Sequence, residues 1–131
     1  MTDSMCKDFQ KTVEQYLIRH QSILDILSKT QETNARINRA ITKAVTQCGC
    51  VQIQGEKNKI PNNSDIANIK ALLSNQVDGM LCEHCREVIE QELGKNLFYL
   101  TGLCNALGLD LEEVLTKEHQ KIKTLRFFNL T

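Results

Sequence analysis

The chain has 131 residues, 41% of them hydrophobic and 24% charged, which suits one soluble globular domain spanning 1–131. Sixteen basic and sixteen acidic residues cancel, which removes the strongest electrostatic reason to expect nucleic-acid or membrane partners. One proline, six glycines and few aromatics favour an all-α fold over a many-turned β-sandwich.

The N-terminal stretch MTDSMCKDFQ has early acids and no apolar signal region, and no apolar run approaches the roughly 20 residues that cross a bilayer. A cytoplasmic location is expected, where thiols stay reduced. Six cysteines in such a compartment favour metal binding or redox chemistry over a disulfide framework.

Apolar residues recur at Met5, Phe9, Val13, Tyr16 and Leu17, and again from Ile23 through Ile26, Leu27, Ile37, Ile41 and Val45. This spacing predicts helices over about 4–19 and 22–47. The stripe thins between Thr30 and Arg36, where a polar patch either faces solvent or lines a polar site inside the bundle. Residues 49–80 change character: Gly49, Gly55, Pro61, Asn62, Asn63 and Gly79 punctuate them, and Val51-Gln52-Ile53 alternates as a strand does. Asn63 or Ser64 is placed to cap a short helix through Ile66, Ile69, Leu72 and Leu73. This excursion joins two long helices.

A helix from about Cys82 to Leu107 presents Val88, Leu93, Leu97, Phe98, Leu100, Leu103, Cys104 and Leu107 as its apolar side, and Gly108 ends it. Asp110 with Glu113 forms a capping-box pattern for a last helix, expected to bury Leu111, Val114, Leu115, Ile122 and Leu125. Phe127 and Phe128 in the tail call for cover by the bundle or by a second subunit.

Cys48-Gly49-Cys50 closes one long helix and Cys82-Glu83-His84-Cys85 opens another. If those helices run antiparallel, the 31 intervening residues loop out and return, and four thiolates meet. Soft sulfur ligands on short chelate loops suit tetrahedral zinc, with an iron–sulfur cluster the less favoured occupant. His84 is the alternative fourth ligand. A closed four-sulfur shell is structural, with no open position for catalysis. A reversible dithiol switch and plain reduced cysteines are the other readings. Cys6 and Cys104 fall on apolar faces as simple core residues.

The segment ELGKNLFYLTGLCNALGLDLEEVLTKEHQKIKTL resembles the C-terminal half of the MazG-type all-α nucleoside-triphosphate pyrophosphohydrolases. That family carries Glu-Leu-Gly-Asp before an apolar helix, a turn, and a helix beginning Leu-Asp-Leu-Glu-Glu. Upstream, SILDILSKTQETNARINRAI is similar to the family's other metal-binding helix, patterned Glu-Glu-x-x-Glu. The resemblance implies a four-to-five-helix bundle that dimerises, with carboxylates from two helices holding magnesium and the triphosphate. Magnesium held this way neutralises the phosphates and orients a water.

This chain departs from those patterns. Gln31-Glu32-Thr33-Asn34-Ala35 keeps only the carboxylate of Glu32, and Glu92-Leu93-Gly94-Lys95 keeps Glu92 while lysine replaces the aspartate. Where the family has Lys-x-Asn, the chain reads Lys117-Glu118-His119. Glu32 and Glu92 are thus the residual catalytic candidates, and Lys95 and Lys117 the candidate nucleotide contacts. Glu83, Glu87 and Glu90 share one helical face, either as a cation stripe or as a solvated surface. The expectation is a binding or regulatory protein with a degenerate magnesium–nucleotide site and a structural thiolate metal site. An active divergent pyrophosphohydrolase and a metal or redox sensor are the alternatives.

Overall fold

The computed structural model describes residues 4–63 and 65–126. Its elements in order are α1 (Met5–Tyr16), α2 (Ile23–Lys43), a π-helical turn (Ala44–Cys48), β1 (Val51–Ile53), α3 (Ile66–Leu72), β2 (Val77–Gly79), α4 (Glu83–Ala106) and α5 (Leu111–Leu125). The fold is all-α, with five helices and one small two-stranded sheet among the described residues. Phe127 and Phe128 lie outside them, as does Ser64.

Local chemistry sets the helix ends. Ser4 and Ser22 accept from the amides of Lys7 and Asp25, satisfying donors that the first turns of α1 and α2 leave unpaired. Asp65, not Asn63, stands at the start of α3. Asp110 caps α5 by accepting from the Glu112 amide, while Glu113 pairs with Lys117 at 3.0 Å. Gly108 follows α4 at φ +70°, the left-handed conformation that lets the chain leave a helix cheaply.

The molecule is organised on the α2–α4 pair. Asn96 reaches the Thr33 hydroxyl and Cys48 meets Cys82, so residue numbers rise along one helix as they fall along the other. The two helices are antiparallel. Their seam is partly polar: the Asn96 amide donates to the Thr30 carbonyl and to Thr33 Oγ1, and buried Thr33 also donates back to the Lys29 carbonyl. Part of the polar patch at 30–36 therefore faces α4 rather than solvent. Burial concentrates at the far end, where Ala40, Ala44, Val51, Cys85 and Ile89 form one cluster flanked by Val45, Leu81 and Val88.

α1 lies against the C-terminal part of α4, where Val13 and Leu17 approach Gly102. Gln10 joins three elements: its side-chain amide donates to Asn105 Oδ1, its backbone carbonyl accepts from Asn105 Nδ2, and its Oε1 accepts from the Leu111 amide that opens α5. Beyond this anchor α5 is open, and none of its residues is buried. Val114, Leu115, Ile122 and Leu125 are 40–50% exposed, contrary to the burial expected from their spacing. The apolar side assigned to α4 fares likewise, because Leu93, Leu97, Leu100 and Leu107 are exposed while Cys85, Ile89, Thr101 and Gly102 are buried. Helical periodicity locates a stripe. It does not say whether this chain covers it.

The excursion leaves the thiol end as a hairpin-like ribbon. β1 and β2 pair antiparallel with Val51 opposite Gly79. Gly79 has φ +88°, and a Cβ there would lie 2.6 Å from the Cys50 carbonyl oxygen, so glycine lets the ribbon close directly beside the cysteine. Cys6 and Cys104 are half-buried.

Candidate metal centre

Four sulfurs converge where α2 ends and α4 begins. The Sγ atoms of Cys48, Cys50, Cys82 and Cys85 all lie within 4.8 Å of one another. Each is placed by a local backbone device. The π turn carries Cys48 to its last residue, and Gly49 at φ +77° reverses the chain so that Cys50 returns toward the same point. Cys82 is the N-cap of α4, its sulfur accepting from the Cys85 amide at 3.4 Å, and Cys85 follows in the first turn.

The spacing fits a tetrahedral ion. Sulfurs about 2.3 Å from a zinc centre stand roughly 3.8 Å apart along each edge of the tetrahedron. Cys48 Sγ and Cys82 Sγ are 3.8 Å apart. The four cysteines are the one group of three or more Cys, His, Asp or Glu whose ligand atoms converge among the described residues. His84 is not in the group. It lines an adjoining cavity of about 320 Å³ with Lys43, Gln47 and Cys48.

The sulfurs are electrostatically unequal. The Cys85 amide aimed at Cys82 Sγ, with a hydrogen bond from the Cys85 thiol, brings the Cys82 pKa down to about 7. The Cys85 thiol is pushed up to about 12, first by its hydrogen bond to Cys82 and then by burial. At Cys48 the Cys50 amide draws the value down, but the Cys82 and Cys50 sulfurs help turn the net shift upward. The metal-free cluster thus has one easily formed thiolate beside thiols that hold their protons.

The carboxylates that the family resemblance singled out lie elsewhere in the α2–α4 pair. Glu32 bonds Lys29 at 3.0 Å and Arg36 at 3.3 Å, and Lys29, with Arg36 behind it, holds the Glu32 carboxyl below its usual range. Glu92 sits one turn nearer the thiols than Asn96. Its Oε1 lies 3.7 Å from Lys95 Nζ, and its Oε2 is buried with no hydrogen-bond partner among the described residues. Lys29, Glu32, Arg36 and Lys95 share an open cleft of about 620 Å³ with Phe98 and Tyr99. Lys117 is not among the residues lining it and pairs with Glu113 on α5. Glu83, Glu87 and Glu90 are exposed. Lys29 and Arg36 are the functional candidates that sequence reading missed. Their signal was a cation at three and at four residues from Glu32, the spacing that ties a helical carboxylate to its neighbours.

Loading a metal must strip the protons held on Cys48 and Cys85. Zinc affinity measured by chelator competition should therefore rise as pH rises from 6 to 8, by about a hundredfold per unit, tenfold for each of the two protons. A pH-independent affinity would contradict this proton release.

Comparison with protein families, with curated proteins and with solved structures finds no match for this chain.

Proposed function

We propose that this chain is a non-hydrolytic binding or regulatory module of MazG-like descent, held together by a structural zinc ion on Cys48, Cys50, Cys82 and Cys85. The observation that carries the metal is the convergence of four sulfurs from two segments to within 4.8 Å of one another, with the Cys48–Cys82 edge at the zinc spacing. Four protein ligands fill the shell, so the ion would fix α2 to α4 rather than activate a substrate. A reduced, cytoplasmic setting suits a site made of free thiols. Among the described residues no helix is long and apolar enough to cross a membrane.

Protein purified without chelator should contain about one zinc per chain. Chelation or Cys82→Ser should lower Tm, because metal binding and folding share free energy. Equal stability with and without chelator would remove the structural-ion reading.

The cleft supports anion binding over magnesium-dependent hydrolysis. A magnesium site needs several free carboxylates, whereas Glu32 is tied to two cations and Glu92 to Lys95. Three cations with Phe98 and Tyr99 in the wall suit the phosphates and base of a nucleotide. With magnesium and a panel of nucleoside triphosphates, pyrophosphate release should not exceed background. Glu92→Gln should cost at most about 1 kcal/mol, since its buried Oε2 has no partner to lose. Turnover abolished by Glu92→Gln would favour the divergent hydrolase instead.

A second copy of the chain is the proposed partner. The accessible surface is 10455 Å², against roughly 7,000 Å² for a compact monomer of this mass. Part of the excess belongs to the exposed excursion between β1 and β2, and part to apolar helix faces left uncovered. The exposed leucines of α4 and the open face of α5 offer the apolar area. Sedimentation should give a dimer, and Leu97→Glu should shift it toward monomer; a monomeric parent chain at micromolar concentration would refute this.

A further inference from the structure

Sulfurs gathered for a soft metal are also oxidisable, and accessibility decides which reacts first. Cys48 is exposed, Cys50 and Cys82 are half-buried, and Cys85 is buried. Cys48 also lines the cavity of about 320 Å³ bounded by Lys43, Gln47 and His84; Cys85 lines it too but is 9% exposed, so Cys48 is the sulfur a small oxidant meets first. The nearest partner is already in place, because Cys82 Sγ stands 3.8 Å away on the opposite segment. Closing that gap to a disulfide length of about 2.05 Å needs a shift shared by two side chains at the ends of their elements.

Resting on the metal-site reading above, we infer that Cys48 is a peroxide-oxidisable ligand and Cys82 its resolving thiol, so that a hydroperoxide discharges the metal by joining the two. The Cys48 sulfur, already stripped of its proton by metal loading, attacks one peroxide oxygen as a thiolate and the O–O bond breaks. With a proton from solvent, water leaves (or an alcohol from an alkyl hydroperoxide), and Cys48 becomes a sulfenic acid. The Cys82 thiolate then attacks Cys48 Sγ and the S–O bond breaks. The departing hydroxide takes a second proton and leaves as water. Two thiolates lose two electrons in all, and one peroxide gains them. The ion keeps only Cys50 and Cys85 and is released.

The choice of sulfurs has a structural consequence. The Cys48–Cys82 disulfide spans the same two helix ends as the ion, so α2 and α4 stay tied. Cys50, at the base of β1, is set free. Oxidation would thereby loosen the root of the ribbon while leaving the helical pair intact.

The test treats protein of measured zinc content with hydrogen peroxide. Released zinc is followed with a chromogenic chelator, and disulfides are mapped by tryptic peptide masses. Fragmentation is needed to distinguish Cys48 from Cys50, and Cys82 from Cys85, because each pair shares a peptide. The expected result is loss of the bound zinc in step with a Cys48–Cys82 disulfide, reversed by dithiothreitol and added zinc, with helical circular dichroism retained. Cys104→Ala should behave as the parent. Retained zinc, a disulfide in any other pairing, or a Cys48 sulfinic acid without a disulfide overturns the inference. A preparation that binds no metal from the outset refutes the structural-metal reading instead, and the same peptide mapping on it still decides the pairing.

Discussion

The meeting of Cys48 and Cys50 with Cys82 and Cys85 is the constraint on which the rest of this small molecule depends. It brings the end of α2 to the start of α4 and brackets the 31 residues between Cys50 and Cys82. An ion bridging the two pairs would restrict the unfolded chain by an amount on the order of 4 kcal/mol in the chain-entropy picture. That is a large share of the stability available to a domain of this size. The buried cluster of Ala40, Ala44, Val51, Cys85 and Ile89 surrounds the same point. An ion held there would add its ligation to that packing.

Away from that end the α2–α4 seam becomes polar, and its groups are mostly satisfied within the pair. Asn96 bridges to Thr30 and Thr33, fixing the helical register through directional bonds rather than bulk. Next to it, charge is arranged so that the carboxylates answer cations. Glu32 has Lys29 and Arg36, and Glu92 has Lys95. A helix face arranged this way has little carboxylate to spare for a hard divalent ion, yet leaves cationic side chains lining an open cleft. Among the described residues the one unmatched buried side-chain atom is Oε2 of Glu92, held at a cost inside an otherwise compensated seam.

The other face of the bundle is apolar and open. α5 is held at its first turn through Gln10 and then runs on without burying a residue. Its stripe has the same spacing as a core stripe, and so does the Leu93–Leu97–Leu100 face of α4. The difference lies only in what stands opposite.

Much of this was legible from residue order. Apolar periodicity located α1, α2, α4 and α5 to within a few residues, since a helix repeats every 3.6 residues whatever surrounds it. The alternation at Val51-Gln52-Ile53 marked β1, and the two cysteine pairs at adjoining helix ends marked a site that an antiparallel return would assemble. β2 was missed, because a three-residue strand ending in Gly79 has no pattern of its own and exists by pairing with β1. Burial was misjudged on α4 and α5, because periodicity describes one helix and burial needs two. The pairing of Glu32 with Lys29 and Arg36 and the placing of Lys95 in their cleft were decided by tertiary structure, as was the exclusion of His84 from the sulfur group. Side-chain direction and the approach of a second helix are set by packing, so residue order alone determined the helices and nominated the thiols, while the fold chose which charges face one another.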